Sequence, residues 1–315
     1  MPIVERDPWR LQYFDGVDCP DDVVVPTDDT DAYVLHPDHR WVYNKLLVCE
    51  RQGIEHAPHG IAPAHYPVFS KPIYNLRGMG SGGRVLRSRA EYDRGLTPGH
   101  MWMRLLTGEH VSTDGALVWG EPVWWRHTVG TALPDGMFDY WTVLGEPRAD
   151  LESVLGEWAR THLRGYTGLV NFETIGGGII ECHLRFADQW PDLYGAGWIQ
   201  SVVGLYARRE WIFDDDERRT AYSVVLFGRH GRRYAVDHAL VAMLRRLPGV
   251  SSIQVTFHED RAPETHAMPP GGFRLAIVNC CDLDTGRAVR AELKRLFRGV
   301  VIGAAAEKPH RALRA

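Results

Sequence analysis

The chain has 315 residues, of which 44% are hydrophobic and 24% are charged, as is typical of a globular protein with a substantial core. Its formal net charge of −4 gives no global basic field, which argues against nucleic acid or an anionic membrane as a partner. We find no apolar run long enough to span a membrane and no apolar signal segment at the N-terminus. The five cysteines lack a CxxC spacing, so we expect reduced thiols in a cytoplasmic protein.

The elements predicted along the chain mix strands and helices without a regular alternation, which indicates an α+β protein. Residues 1–40 are rich in Asp and Pro and are too short for an independent domain. The pattern then predicts a helix at 41–52, strands at 66–74, 84–87 and 101–106, a hairpin from 116 to 129, a helix at 150–163, a hairpin at 168–185 and a helix at 198–207. Beyond these we expect strands at 221–228 and 273–278 and helices at 238–246 and 286–297.

The predicted hairpin at 168–185 places two carboxylates face to face. A turn centred on Gly177 would pair Ile175 with Ile179, and Glu173 would then lie directly opposite Glu181. At about 5 Å and an effective dielectric near 20, their repulsion is on the order of 3 kcal/mol. Two carboxylates in this arrangement suit Mg²⁺ bound together with phosphates.

Two further polar residues of the same strand share the face of Glu181, because side chains alternate along a strand. These residues are His183 and Arg185. The alternative interpretation is a solvated face on which Arg185 neutralises one of the glutamates.

A lysine followed by a glycine-rich turn precedes the hairpin by about a hundred residues. Lys71 lies on the strand at 66–74, and Gly78, Gly80 and Gly83 then form a G-x-G-x-x-G pattern. Such a loop brings backbone N–H groups close to phosphate oxygens. A dinucleotide fingerprint would open a helix, whereas a strand follows here, and a kinase has its lysine after the loop.

The order of these pieces resembles the ATP-grasp superfamily, and in particular its carboxylate–amine ligases. Lys71-Pro72 with the glycine loop, and then Glu173 with Glu181-x-His183-x-Arg185, carry the resemblance. Two weaker segments fall in the expected order around them, namely Asn44-Lys45-Leu46-Leu47 with Gln52-Gly53-Ile54, and the segment from Leu105 to Asp114. The resemblance covers roughly residues 40–205.

The resemblance implies an ATP-grasp fold in which ATP lies between two α+β lobes. It divides the chain into a reduced N-terminal segment at 1–40, a small lobe at 41–100, a large lobe at 101–210 and a small C-terminal α+β region at 211–315. The C-terminal region carries no recognisable motif, and it is a candidate for covering the active site or for forming a homodimer.

The resemblance also implies the ligands of ATP and Mg²⁺. The residues expected to contact the nucleotide are Lys45 and Lys71 at the phosphates and the base, Gly78, Gly80, Ser81 and Gly82 around the phosphates, Met103 and Leu105 at the adenine, and Glu109 or His110 at the ribose. Glu173, Glu181 and His183 are the expected metal ligands, and Arg185 and Lys71 are expected to act on the transferred phosphate. The family usually has Asn where this chain has His183, and imidazole is a poor Mg²⁺ ligand. His183 is therefore expected either to contact phosphate or to favour Mn²⁺.

The function implied is ATP-dependent joining of a small-molecule carboxylate to an amine through an acylphosphate. The substrates supply the nucleophiles, which suits a sequence without an evident Ser-His-Asp or Cys-His arrangement. The alternatives are an ATP-grasp phosphotransferase or carboxylase, and a nucleotide-binding protein without turnover.

Overall fold

A computed structural model of the chain describes residues 3–4, 8–76, 80, 82–262 and 271–301. Gly78 and Ser81, two of the residues expected at the phosphates, lie outside these ranges. Within the described residues, no helix has the length and apolar character needed to cross a membrane.

The N-terminal segment packs against the rest of the chain through short elements. Strand β1 (Ile3–Val4) pairs in parallel with β2 (Val25–Pro26), and helix α1 (Pro8–Leu11) lies between the two strands in the sequence. Helix α2 (Asp29–Leu35) begins after Asp28, whose side chain accepts a hydrogen bond from the N–H of Asp31. A 3₁₀ turn at Arg40–Tyr43 then leads into the small lobe.

The small lobe is a four-stranded sheet with two short helices. Its elements are α3 (Lys45–Glu50), β3 (His56–Pro58), β4 (Val68–Pro72), β5 (Arg84–Leu86), α4 (Arg89–Arg94) and β6 (His100–Arg104). The strand order is β3-β6-β4-β5, and every pair is antiparallel. The helix predicted at 41–52 is therefore two elements, because Asn44 adopts an extended conformation and caps α3.

The large lobe is built on an eight-stranded antiparallel sheet. Its strands are β7 (His110–Val118), β8 (Glu121–Ala132), β9 (Phe138–Val143), β10 (Gly168–Ile175), β11 (Gly178–His183), β12 (Ala221–Gly228), β14 (Val250–Val255) and β15 (Phe273–Cys280). Their order in the sheet is β11-β10-β7-β8-β9-β12-β15-β14. Strands of the C-terminal region thus continue the large-lobe sheet beyond β9.

Helices cover both faces of this sheet. These helices are α5 (Ala149–His162), α6 (Trp198–Arg208), α7 (His238–Leu244) and α8 (Leu283–Leu296). Neighbouring β10 residues enter different cores: Leu169 packs in the cluster that contains α6, and Val170 packs in the cluster that contains α5. Both faces of β10 are therefore buried near its start, as expected for a strand covered by helices on both sides. A separate pair, β13 (Arg232–Ala235) with β16 (Arg298–Val301), completes the described C-terminal part.

Candidate active site

The hairpin of β10 and β11 places Glu173 directly opposite Glu181, as predicted. The predicted turn is wrong in detail, because Ile175 pairs with Gly178 and the two-residue turn is Gly176-Gly177. A bulge restores the register. Thr174 pairs with Ile179, so Ile180 is an extra residue in β11 before Glu181 meets Glu173.

Two buried lysines of the small lobe converge on this bulge. Lys71 on β4 donates from Nζ to the carbonyl oxygen of Ile180 at 2.6 Å. Lys45, the first residue of α3, has its Nζ 3.5 Å from Oε1 of Glu181. Burial lowers the pKa of Lys71 to about 8, although Glu181 acts in the opposite direction. The lysines predicted to bind phosphate and one predicted metal ligand are thus brought together.

Asp29 completes the group from the N-terminal segment, and sequence analysis missed it. Its Oδ1 lies 3.0 Å from Nδ1 of His183, and its two oxygens accept hydrogen bonds from Nε and Nη2 of Arg185, each at 3.0 Å. Asp29 is buried, and Tyr43 also donates to it at 3.3 Å. Burial would raise the pKa of the Asp29 carboxyl, but Arg185 and His183 hold it well below its usual range.

His183 lies between two carboxylates. Its Nδ1 faces Asp29, and its Nε2 lies 3.5 Å from Oε2 of Glu181. Burial opposes a charged imidazole, but the carboxylates of Asp29 and Glu181 together outweigh burial and raise the pKa of His183 to about 9. Both ring nitrogens therefore lie close to carboxylates of the protein, and a contact of His183 with a metal ion stays a prediction.

The opposite carboxylate, Glu173, is paired with a histidine expected at the ribose. Nε2 of His110 lies 2.5 Å from Oε2 of Glu173. Burial would lower the pKa of His110, but the Glu173 carboxylate reverses this and raises it. Glu109, the other residue expected at the ribose, is half exposed and forms an ion pair with Arg148 at 2.7 Å.

The two glutamates suit a divalent cation by their chemistry. Carboxylate oxygens facing each other across a strand pair are the ligands that Mg²⁺ prefers. Among the described residues, no group of three or more His, Cys, Asp or Glu side chains is arranged to hold a metal ion. In this arrangement Lys45 neutralises Glu181, and His110 is the partner of Glu173.

Met103, one of the two residues expected at the adenine, lies in an apolar cluster between the lobes. Met103 on β6 is buried against Cys49, Ile54 and Met101. Ile180 of the hairpin bulge packs against the same cluster. Leu105, which follows β6, is partly buried.

Only part of the glycine loop is described. Gly80 and Gly82 both have positive φ values, 61° and 78°, and the N–H of Gly83 donates to the carbonyl of Gly80 at 3.1 Å. A Cβ on Gly82 would come within 3.1 Å of the His100 ring, so a side chain there would require a shift. The contact of this loop with phosphate stays a prediction.

No protein-family model and no curated protein matches this sequence. Solved structures do match. The chain is similar to an L-amino acid ligase from Bacillus licheniformis, with a TM-score of 0.60 and 13% identity over 93% of this chain and 84% of that one. It is also similar to a phosphoribosylamine–glycine ligase from Thermotoga maritima, with a TM-score of 0.60 and 15% identity over 91% and 85% of the two chains.

A third match is carboxyaminoimidazole ribonucleotide synthase from Aspergillus clavatus, a structure that was solved with ATP. Its TM-score is 0.57 at 12% identity, over 81% of this chain and 74% of that one. The architecture shared with these proteins is the ATP-grasp fold, and the chain has this fold. The fold predicted from the resemblance is thereby confirmed.

Proposed function

We propose that this protein is an ATP- and Mg²⁺-dependent ligase that joins a small-molecule carboxylate to an amine in the cytoplasm. The observation that carries the proposal is the meeting of Lys45 and Lys71 with Glu181 between the two lobes. Lysines that bind phosphate and carboxylates that suit Mg²⁺ are the two requirements of a metal-bound triphosphate site. The resemblance to the ATP-grasp superfamily implies such a site between two lobes, and one of the structural neighbours was solved with ATP, which supports the proposal.

The residues divide into three roles in this proposal. Lys45 and Lys71 bind the phosphates, and Met103 and Leu105 line the adenine. Glu173 and Glu181 hold Mg²⁺, which neutralises phosphate charge when it is bound. His183 is proposed as a positioning residue between Asp29 and Glu181, because both of its ring nitrogens already have partners.

The chemistry needs no protein nucleophile. A carboxylate oxygen of the first substrate attacks the γ-phosphorus, the bond from that phosphorus to the bridging oxygen breaks, and ADP leaves. The amine then attacks the acyl carbon of the acylphosphate, loses a proton, and releases inorganic phosphate. Arg185 stabilises the negative charge that spreads over the transferred phosphoryl group, while the buried lysines orient the triphosphate.

Turnover by site variants tests this proposal. Purified protein is incubated with Mg-ATP, a pool of amino acids and a pool of small carboxylates, and ADP release and product masses are measured. We expect Glu181→Gln and Lys71→Ala to lower ADP release at least 100-fold, since the first weakens a proposed Mg²⁺ ligand and the second removes a cation proposed to bind the triphosphate. Glu157→Gln, on the exposed face of α5, is the matched control and keeps wild-type turnover.

The masses of the products separate the related reactions. A product equal to the two substrates minus water supports the ligase, whereas a phosphorylated or carboxylated product supports the alternative ATP-grasp transfer reactions. Turnover close to wild type in both site variants would remove the basis for the site.

A nucleotide-binding protein without turnover is the second candidate, and one observation favours it. Both oxygens of Asp29 accept hydrogen bonds from Arg185, which is the residue proposed to act on the transferred phosphate. ATP binding in calorimetry without ADP release from any substrate pool would support this second candidate.

A further inference from the structure

A cavity of about 320 Å³ lies between the N-terminal segment and the large lobe, away from the candidate active site. It is lined by Trp119 in the turn between β7 and β8, by Arg209 after the last residue of α6, and by His36 after α2. Thr167, just before β10, also lines it. Glu173 lies six residues further along the extended chain than Thr167, a distance of about 20 Å. The cavity is therefore a separate feature of the molecule.

Two residues on its wall have an unfavourable backbone conformation. Trp119 has φ 57° and Arg209 has φ 60°, and among the described residues they are the only non-glycine residues with positive φ. Trp119 and Gly120 form a two-residue hairpin turn, in which the first position strongly favours Asn, Asp or Gly. Arg209 occupies the position after a helix where Gly or Asn is favoured.

These two residues contact each other. The guanidinium carbon of Arg209 lies 4.4 Å from the centroid of the Trp119 ring, and both side chains are exposed. Backbone strain concentrates where a side chain is needed for a function that an unstrained residue cannot supply. Trp119 and Arg209 both have a strained backbone, and their side chains contact each other on the wall of a cavity. This combination indicates that the contact has a role in binding.

The chemistry of the remaining wall limits the ligand. Tyr166 presents its ring, because its hydroxyl already donates to the carbonyl of Leu169 at 2.6 Å. Nε2 of His36 is buried and has no hydrogen-bond partner among the described residues. Arg209 and Asp38 both line the cavity, and within the described ranges neither of them forms an ion pair. The cavity thus offers one cation, one anion, aromatic surface and an unused imidazole nitrogen.

We propose that this cavity binds a free aromatic amino acid. The carboxylate of the ligand pairs with Arg209, its ammonium group pairs with Asp38, and its ring packs against Trp119 and Tyr166. A volume of about 320 Å³ lies at the small end of the range for ligand pockets, which suits a molecule of this size. The opposite charges of Arg209 and Asp38 favour a zwitterion over a simple anion or cation.

Calorimetric titration with three related probes tests the class of ligand. L-Phenylalanine carries both charges, 3-phenylpropionate lacks the ammonium group, and 2-phenylethylamine lacks the carboxylate. We expect L-phenylalanine to bind with a Kd of about 1 mM or tighter. The other two probes should bind at least 10-fold more weakly, because each leaves one charge of the cavity without a partner.

Variants at the strained positions connect binding with stability. Trp119→Asn and Arg209→Asn place a residue that tolerates positive φ at each position, so each should raise Tm by about 1–3 °C. The same variants should weaken L-phenylalanine binding at least 10-fold. Arg208→Gln is the matched control next to Arg209, and Lys71→Ala is the control for independence from turnover. Both controls should bind L-phenylalanine as the wild type does.

The proposal is overturned if wild-type protein shows no binding of L-phenylalanine at about 10 mM. It is equally overturned if both strained-position variants bind as well as the wild type. A lower Tm in both variants with unchanged binding would assign the contact to holding α6 against the hairpin.

Discussion

The carboxylate of Asp29 is the counter-ion of two residues that the sequence resemblance assigned to the active site, His183 and Arg185. Nothing in the local sequence distinguishes it, because Asp28 and Asp31 stand beside it in an acidic segment. Its role depends on α2 packing against the end of β11, which is a contact over about 150 residues of sequence separation. Such a contact has no local signature, so sequence reasoning could identify His183 and Arg185 but not their partner.

The pKa of His183 predicts how stability depends on pH. In the folded protein the pKa of His183 is raised to about 9, whereas in the unfolded chain it is about 6.5. Protonated His183 therefore stabilises the folded state fully below pH 6.5, and this stabilisation is lost as the pH rises through 9. Between pH 6.5 and 8, the free energy of unfolding of wild-type protein should therefore fall by about 2 kcal/mol more than that of His183→Asn. Urea unfolding at several pH values measures this difference.

Comparison with His183→Asn removes the contributions of other titrating groups. Lys71 acts in the opposite direction above pH 8, since its lowered pKa favours the folded state as the proton is lost. Parallel pH curves for the wild type and His183→Asn would show that the Asp29–His183 pair contributes nothing to stability.

The lowered pKa of Lys71 leads to a second pH prediction, which concerns activity. Burial brings this pKa to about 8, so a large share of free protein carries a neutral Lys71 at pH 9. A neutral amine attracts the triphosphate poorly, and kcat/KM for ATP should fall as the pH rises through about 8. Lys71→Arg stays charged at these pH values and should abolish the fall, even where its overall activity is lower. If kcat/KM for ATP falls in the same way in Lys71→Arg, the titrating group is a residue other than Lys71.

At the scale of the elements, the hairpin β10–β11 shows what a sequence pattern can and cannot specify. The alternation of side chains correctly placed Glu173 opposite Glu181. The pattern did not reveal the tighter turn at Gly176-Gly177 or the bulge at Ile180, two features that compensate for each other in register. The bulge matters for the site, because it directs the carbonyl of Ile180 to Lys71.

The two turn glycines differ in a way that can be tested. A Cβ on Gly176 would come within 2.3 Å of the carbonyl oxygen of Thr107, whereas a Cβ on Gly177 would meet nothing within 4 Å. Both residues have positive φ, so Gly177→Ala should cost about 1 kcal/mol from strain alone. Gly176→Ala should cost about 1–3 kcal/mol more, because the turn must move away from Thr107.

Chemical denaturation of the two alanine variants measures these costs. Gly176→Ala should also reduce ATP turnover more than Gly177→Ala does, since its turn leads directly into β11 and Glu181. Equal stability of the two variants would mean that the approach of the turn to Thr107 is not close in solution.

Other elements were predicted with uneven success, and the physical reasons differ. The strand at 221–228 and the helix at 198–207 follow clear periodic patterns, and the structure has them at Ala221–Gly228 and Trp198–Arg208. Strands β13 and β14 were not predicted. Val250–Val255 carries Ser251, Ser252 and Gln254 among its apolar residues, and the buried Gln254 donates from Nε2 to the carbonyl of Gln189. These polar residues interrupt the apolar pattern and conceal the strand from pattern analysis.

At the scale of the whole molecule, the region at 211–315 is joined to the large lobe by a shared sheet. Strand β12 pairs with β9, and β15 and β14 follow it in order. Arg126 of β8 is buried and forms an ion pair with Asp215 from the same region. The division of the chain near residue 210 stays a prediction, since it rests on the family resemblance alone.

Truncation tests how far the large lobe depends on this region. A chain ending at residue 219 lacks β12 and leaves the edge of β9 without its partner. We expect this chain to aggregate or to lose its near-ultraviolet dichroism, because an open, apolar sheet edge pairs with other chains. Size-exclusion chromatography with light scattering measures the outcome.

A chain ending at residue 301 is the control, since it retains every described strand. It should elute like the full-length protein. A monomeric, folded chain of residues 1–219 would instead show that the boundary near 210 separates independent folding units.

The bulge at Ile180 connects the hairpin of the large lobe to the small lobe in two ways. Lys71 donates a hydrogen bond to the carbonyl of Ile180, and the side chain of Ile180 packs in the apolar cluster between the lobes. Ile180 therefore connects the hairpin to the small lobe through both its backbone and its side chain. A bound triphosphate would draw Lys71 away from this carbonyl, and the backbone contact of Ile180 with the small lobe would be lost. Binding of the nucleotide would then break the hydrogen bond from Lys71 to Ile180, while the apolar contacts of the Ile180 side chain would still hold the hairpin against the small lobe.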